Sequence, residues 1–161
     1  MSELHVIEKV NDPRPFTALV LIILLLVMGA GALISGPMLF LAPDGRLMQW
    51  TVEQLEGTPF TDYLVPGIIL FLLVGVLPVF TGIGLIKKPA WRWPEALNVC
   101  KGFHWSWTGA WASGVIMLIW IITETALLGY VSFLQPLVAA WGIGIIILTM
   151  LPGVRRNYRK P

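Results

Sequence analysis

The stretch FTALVLIILLLVMGAGALISGPMLFLA, residues 16–42, decides the fold, because its 27 residues include no Asp, Glu, Lys or Arg. Crossing a hydrocarbon core of about 30 Å takes about 20 consecutive apolar residues in a helix. Residues 63–86 form a second run without charge. In a soluble protein such runs would expose large apolar patches. Both runs therefore predict membrane spans.

The composition of the whole chain also indicates a membrane protein. The 161 residues are 57% hydrophobic and only 12% charged, whereas a soluble domain carries about 25% charged residues. Backbone polar groups in lipid must bond within the protein, and the runs lack the alternating pattern of a membrane barrel. We predict an all-α membrane protein that forms a single transmembrane domain over residues 1–161.

Two further spans follow from the carboxyl-terminal half. Residues 103–154 contain only one charged residue, Glu124. One straight helix of this length would reach about 78 Å, far more than a bilayer requires. The chain must therefore turn back, and proline suits the first turn of the next helix. The turn is marked by Glu124, Gly129, Tyr130, Gln135 and Pro136. The four predicted spans are 16–42, 63–86, 103–125 and 134–151.

The basic residues separate to one side of these four spans. Lys and Arg concentrate in cytoplasmic loops, and this bias sets orientation. Of the 11 basic residues, only Arg46 falls in the loop between the first two spans. The distribution predicts that both termini are cytoplasmic. The other basic residues are Lys9, Arg14, Lys87, Lys88, Arg92, Lys101, Arg155, Arg156, Arg159 and Lys160.

A cleaved signal peptide is the competing interpretation of the first span. Lys9 and Arg14 precede it, and Ala30-Gly31-Ala32 resembles a cleavage site. However, Glu3, Glu8 and Asp12 also precede it, and the apolar run continues well past the small residues. We therefore expect the segment to remain in the protein as a span.

The loop of about 20 residues between the first two spans carries four of the nine acidic residues. Residues 47–56 predict a short amphipathic helix, with Leu47, Trp50 or Thr51, and Leu55 on one side. Four carboxylates in the loop would attract a cation or a basic partner, but their spacing does not match a Ca²⁺ loop. We expect turn, cap and solvent-facing roles for them, with Thr61 or Asp62 capping the second span. The four are Asp44, Glu53, Glu56 and Asp62.

The same loop carries a sequence pattern, Pro-x-Gly followed by Pro-Phe-x-Asp-Tyr-Leu-x-Pro-Gly. In this pattern the chain resembles a widespread group of small bacterial membrane proteins that generally lack an assigned activity, and the resemblance covers about residues 16–90. It implies the same hairpin of spans and a location in the bacterial inner membrane. The residues are Pro43, Gly45, Pro59, Phe60, Asp62, Tyr63, Leu64, Pro66 and Gly67.

Small residues recur four positions apart within the spans. Such spacing lets membrane helices approach closely, and we expect it to serve packing within the bundle, with contacts between copies as the weaker alternative. The clearest sets are Gly31 with Ser35, Ala32 with Gly36, Gly109 with Ser113, and Ala110 with Gly114. Five tryptophans around the middle loop suit anchoring in the headgroup layer. They are Trp91, Trp93, Trp105, Trp107 and Trp111.

Glu124 is the best single candidate for chemistry. An acid within a membrane helix is a functional hypothesis by default, here as a proton or cation site. The alternative is an acid near the outer interface that ends its helix. Helical spacing predicts that the face carrying this residue points into the bundle; the face comprises Ser106, Ala110, Ser113, Met117, Trp120 and Glu124.

Neither a metal nor a cofactor site is predicted. Cys100 is the only cysteine and so lacks a second thiol for metal binding. His104 begins the third span, and with His5 in the tail there is no second membrane histidine for a haem. The basic residues follow no nucleic-acid-binding motif. We expect no cofactor, no metal and no nucleic-acid partner.

Two functions remain open at this stage. The first is a non-enzymatic accessory or interaction subunit, with the lipid bilayer and a membrane-protein partner or a second copy as its partners. The second is a small oligomeric transporter or channel that uses Glu124. An enzyme acting on lipids would need a reactive set, for which His104 with Cys100 is a weak candidate.

Overall fold

The computed structural model describes residues 14–160, and every regular element in this range is helical. The predicted all-helical fold is therefore confirmed. Lys9, His5 and the acidic residues of the amino-terminal tail lie outside the described residues. The α-helices are α1 Phe16–Phe40, α2 Leu64–Lys87, α3 Arg92–Ala96, α4 Trp105–Leu128, α5 Leu134–Met150 and α6 Pro152–Tyr158.

Several of these helices are suited to a bilayer. Helices α1, α2 and α4 are each long and apolar enough to cross a membrane, and α5 together with α6 makes a fourth candidate. The axes of α5 and α6 differ by 63°. The bend falls at Leu151, whose extended ψ of 141° is the conformation that a following proline imposes. The chain is therefore a multi-pass membrane protein by the length and composition of its helices.

The four long helices form a ring. Helix α1 packs against α2 and α5, and α4 packs against the same two helices from the other side. Leu21, Leu25, Met117 and Ile145 are fully buried between them. The loop 41–63 and the turn 129–133 lie at one end of the bundle, here called the acidic end. Residues 14–15, 87–104 and 151–160 lie at the other, the basic end.

Small residues allow the long helices to approach closely, as the sequence predicts. A β-carbon built on Gly36 would lie 2.7 Å from Phe71 Cβ, and one on Gly114 would lie 2.7 Å from Ile146 Cγ1. These glycines are therefore required by packing within the bundle. Gly31 and Gly144, by contrast, face open space.

Helix α2 contains a wide π-helical segment, Leu70–Val76. The backbone N–H of Leu77 bonds to the carbonyl of Leu72, five residues earlier. Pro78 follows directly, and in a regular α-helix its ring would collide with the carbonyl of Val74. The wider turn relieves this clash, because π segments shift the hydrogen-bond register by one residue. Pro78 is fully buried. The shifted hydrogen bonds accommodate its ring, and the helix continues without a break.

The amphipathic helix predicted over residues 47–56 is replaced by two short 3₁₀ helices, Arg46–Met48 and Val52–Leu55. Between them, Gln49 adopts a left-handed conformation with φ 58° and Thr51 is extended. Leu55 is buried as predicted, whereas Leu47 and Trp50 are exposed. The segment therefore has no single apolar face.

Tertiary contacts explain why the loop departs from a continuous helix. The hydroxyl of Tyr63 donates to the carbonyl of Thr51 at 2.9 Å and lies 3.2 Å from Gln54 Oε1. The ring of Trp50 lies 5.6 Å from the ring of Tyr63. A continuous helix would draw the Thr51 carbonyl into its own hydrogen bonds. Contacts with the second span therefore override the local helical pattern.

Candidate functional site

The acidic residues of the loop serve its local geometry. Asp44 Oδ1 accepts the backbone N–H of Arg46 at 3.2 Å, and its other oxygen lies 3.6 Å from the Arg46 guanidinium. Asp62 Oδ1 accepts the backbone N–H of Leu64 at 2.9 Å, at the start of α2. Glu53 and Glu56 are exposed, and a hydrogen bond from the Thr51 side chain lowers the pKa of Glu53. Within residues 14–160, no three His, Cys, Asp or Glu side chains converge as metal ligands would.

The pattern residues of the loop close the hairpin between α1 and α2. Gly45 has φ +82°, which favours glycine, and a β-carbon there would lie 2.7 Å from the carbonyl oxygen of Trp50. The backbone N–H of Tyr63 bonds to the carbonyl of Pro43 at 2.9 Å. A β-carbon on Gly67 would lie 2.7 Å from a side-chain atom of α1. These contacts give the loop pattern a structural role.

Glu124 lies at the margin of the bundle near the acidic end. Ser106, Ala110, Ser113 and Met117 on its predicted face are buried, as expected. Glu124 itself is only partly buried. Its Oε2 accepts the indole N–H of Trp120, one turn earlier on the same helix, at 3.1 Å. The carboxylate is thus held by a neighbouring side chain of α4.

Gln135 organises the turn next to Glu124. Its Nε2 donates to the carbonyl of Gly129 at 3.0 Å, and its Oε1 accepts the backbone N–H of Val131 at 2.9 Å. An open depression of about 460 Å³ borders this turn and is lined by Gln135, Tyr130, Thr125 and apolar residues of α4 and α5. Glu124 does not belong to that lining.

Asn98 is the centre of a polar network at the basic end. It is buried, and its amide donates to Glu95 Oε1 at 3.0 Å and to the carbonyl of Phe103 at 2.8 Å. Its Oδ1 accepts the N–H of Cys100 at 3.1 Å and the hydroxyl of Thr108 at 2.6 Å. A buried amide with all these partners fixes the loop between α2 and α4.

The carboxyl-terminal segment closes over this loop. The N–H of His104 donates to the carbonyl of Tyr158 at 2.8 Å, and the Tyr158 hydroxyl donates to the carbonyl of Leu85 at 2.8 Å. Lys160 Nζ forms an ion pair with Glu95. The hydrogen bond from Lys160 is the main cause of the lowered pKa of Glu95. Helix α6 therefore joins the ends of α2 and α4.

His104 caps the start of α4. Its Nδ1 accepts the backbone N–H of Ser106 at 3.3 Å and lies 2.7 Å from the Ser106 hydroxyl, while Nε2 lies 3.1 Å from the carbonyl of Pro89. The acceptor role of Nδ1 assigns the proton of the neutral ring to Nε2, which donates to Pro89. Burial lowers the pKa of His104. Both ring nitrogens of His104 are therefore bonded, Nδ1 at the start of α4 and Nε2 to Pro89.

The tryptophans near the middle loop divide into two groups. Trp105 and Trp107 are buried, and the Trp107 indole donates to the carbonyl of Thr149 at 2.9 Å. These two belong to the bundle core and do not anchor it in the headgroup layer. Trp91 and Trp93 are exposed and stack on Phe80, with ring centroids 5.5 and 5.1 Å away.

Three exposed apolar side chains lie on the loop that Asn98 fixes. Trp93 is 61%, Leu97 75% and Val99 78% exposed, whereas Pro94 and Asn98 in the same segment are buried. We call Trp93, Leu97 and Val99 the α3 face. Asn98 holds the backbone of this loop in place through its hydrogen bonds to Phe103 and Cys100. The exposed side chains of the α3 face therefore have a fixed position.

The charge of the basic end is barely compensated. In the part of the chain that the structure describes, this end carries nine Lys and Arg residues and one carboxylate, Glu95. Arg14 and Lys88 lie together at one corner. Burial, and then the charge of Arg14, lower the pKa of Lys88.

Comparisons with protein-family models, curated proteins and solved structures found no match to this chain. Sequence reasoning had singled out Glu124 and the acidic loop. It missed Asn98 and the α3 face. The available signal was the segment 94–99, which begins with a proline and in which the polar Asn98 lies between the apolar Leu97 and Val99.

Proposed function

We propose that this chain is a four-span protein of the bacterial inner membrane that acts as a non-enzymatic accessory subunit of a larger membrane assembly. Helix α5 with α6 supplies the fourth span, and both termini are cytoplasmic. Nine basic residues at one end against Arg46 at the other support this orientation. The resemblance of the loop pattern to small bacterial membrane proteins supports the location.

The observation that carries the accessory role is the α3 face. Exposed apolar side chains on an ordered loop are the kind of surface that mediates protein contacts. Tryptophan in particular contributes strongly to binding when a partner covers it. The partner is another membrane protein or a second copy of the chain, which reaches the α3 face at the level of the lipid headgroups.

Site-specific photo-crosslinking in the native membrane tests this role. A photoreactive residue replaces Leu97 on the α3 face or, as the control, Ile119, which is 59% exposed in the middle of α4. We expect a discrete protein adduct from position 97 and only lipid adducts from position 119. Mass spectrometry then identifies a second copy or a different protein. Lipid adducts alone from position 97 would refute the accessory role.

The orientation is tested separately with cysteine labels. In a background in which Ala replaces Cys100, a single cysteine at Gln49 marks the acidic end and one at Ala90 marks the basic end. A membrane-impermeant thiol reagent applied to intact cells should label the first position only. Labelling of both positions from the same side would overturn the four-span arrangement.

The alternative function is a small oligomeric transporter or channel that uses Glu124. The favouring observation is that its carboxylate, bonded to Trp120, lies beside the buried side chain of Gln135. In liposomes, Glu124→Gln should then abolish proton or cation flux, whereas Glu56→Gln at the exposed loop should not. If the Glu124→Gln variant and the unsubstituted protein give equal flux, Glu124 is not the proton or cation site.

A further inference from the structure

Two cations are held side by side where α1 begins and α2 ends. Arg14 Nη2 donates to the carbonyl of Ile86 at 2.7 Å. Lys88 Nζ donates to the carbonyl and the side-chain oxygen of Asn157 at 2.9 and 2.8 Å, and it lies 4.7 Å from the centroid of the Tyr158 ring. Carbonyl oxygens and an aromatic ring thus position both cations, at a corner shared by α1, α2 and α6.

No carboxylate of residues 14–160 pairs with either cation. The ion pairs in this range join Asp44 to Arg46 and Glu95 to Lys160. Besides burial, the like charge of Arg14 lowers the pKa of Lys88. Two adjacent cations that lack a counter-ion among the described residues favour the binding of an anion.

Both cations keep hydrogen-bond donors for such an anion. A guanidinium has five N–H groups in a planar fork that matches two oxygens of a phosphate. The described contacts of Arg14 use one of its nitrogens, and those of Lys88 go to two oxygens of one residue, Asn157. An ammonium has three N–H groups, so Lys88 retains one. Both residues are exposed.

Exposed apolar residues come two positions along the chain from each cation, toward the membrane spans. Phe16 is 76% and Ile86 40% exposed. Each is two residues from a cation along the chain, in the direction of the bundle. An anion that carries hydrocarbon chains would contact both the charges and these side chains, whereas free phosphate would contact the charges only. Basic pockets at the ends of membrane helices bind anionic lipid headgroups in this way.

We propose that Arg14 and Lys88 form a binding site for the phosphate group of an anionic phospholipid. Phe16 and Ile86 contact the part of its acyl chains that is nearest to the headgroup. The site requires that α1 and α2 cross a bilayer, and it is independent of any protein partner at the α3 face.

Native mass spectrometry of the full chain tests the proposal. The protein is purified in mild detergent and titrated with dioleoylphosphatidylglycerol or, as the neutral lipid, dioleoylphosphatidylcholine. One variant carries Arg14→Gln with Lys88→Gln. The control carries Arg92→Gln with Lys101→Gln, which removes the same charge from the same end. We expect one tightly bound anionic lipid, with affinity about 30-fold lower in the Arg14/Lys88 variant and little changed in the control.

Three outcomes would overturn the site. These are equal losses of affinity in the two double variants, equal binding of the neutral lipid, and displacement of the lipid by millimolar inorganic phosphate. Displacement would identify free phosphate as the ligand. Circular dichroism checks that each variant folds. If the double variant does not fold, the charge-preserving Arg14→Lys is compared with Arg14→Gln. The proposal expects Arg14→Lys to retain the lipid and Arg14→Gln to lose it. If both variants retain the lipid, or both lose it, the site is rejected.

Discussion

The side chain of Thr81 in α2 occupies the space beside Gly109 in α4, and a β-carbon on Gly109 would lie 2.7 Å from Thr81 Oγ1. Thr81 is fully buried, and among the described residues its hydroxyl has no hydrogen-bond partner. The crossing of these two helices therefore depends on shape and not on a polar contact.

Gly109→Ala should destabilise the bundle by about 1–3 kcal/mol, because an added methyl group overpacks a close contact. Combination with Thr81→Ala should recover most of this loss, since it removes the atoms that collide. Thermal unfolding in detergent measures both effects. Gly144→Ala is the control, because open space surrounds Gly144, and it should change stability by less than about 0.5 kcal/mol. An unchanged cost of Gly109→Ala in the Thr81→Ala background would contradict the contact.

Asn98→Ala should lower stability by about 1–3 kcal/mol, because it leaves the hydroxyl of Thr108 and the N–H of Cys100 without their partner. The loop should also loosen, so that the Cys100 thiol reacts faster with a soluble maleimide. Val99→Ala, at the neighbouring exposed position, is the matched control. Equal thiol reactivity in the two variants would show that Asn98 does not hold the loop.

Tyr158→Phe removes the hydroxyl that donates to the carbonyl of Leu85. We expect a loss of about 0.5–1.5 kcal/mol, typical of one hydrogen bond. Tyr130→Phe supplies the comparison, because Tyr130 is exposed at the other end of the bundle. Chemical denaturation in mixed micelles measures both. If both variants unfold alike, the hydroxyl of Tyr158 contributes nothing to the closure of the basic end.

His104 should make the stability depend on pH. Its pKa in the folded protein is below the ordinary 6.5, chiefly through burial, with smaller contributions from the charges of Lys160 and Lys88. The unfolded chain therefore binds the proton more readily than the folded protein. The stability that the neutral ring contributes is present above about pH 6.5 and is lost as the pH falls through the folded pKa. Protonation of Nδ1 also removes the acceptor for the Ser106 N–H.

Thermal unfolding between about pH 8 and about pH 5 measures this dependence. His104→Gln should flatten the part of the curve below pH 6.5. His5→Gln is measured alongside, so that the contribution of the other histidine is known separately. A His104→Gln curve as steep as that of the original chain would assign the dependence to other groups.

The ends of the long helices could be predicted from the positions of the charged residues. Charged side chains are excluded from hydrocarbon whatever the tertiary fold, so they mark where a span stops. Each end lies within three residues of the predicted spans. The network of Asn98 could not be predicted, because its partners Glu95, Phe103 and Thr108 come together only after the loop folds over α4. Likewise, nothing local to Leu70–Val76 indicates the wide turn, which depends on where Pro78 meets its neighbours.

Glu124 shows the same division between local and tertiary information. Helical spacing correctly predicted the buried residues of its face, because periodicity depends only on helix geometry. Its hydrogen bond with Trp120 also follows that spacing, four residues apart. Its exposure, by contrast, depends on where α5 begins, which the turn around Gln135 decides.

The unequal ends of the bundle have a consequence for how long its orientation lasts. To turn over in a lipid bilayer, the protein would have to carry nine cationic side chains through hydrocarbon, and each such passage costs several kcal/mol. The carboxylates of the acidic end would have to cross the hydrocarbon in the opposite direction. Inversion is therefore too slow to occur within the lifetime of a cell, so the direction adopted at insertion is permanent.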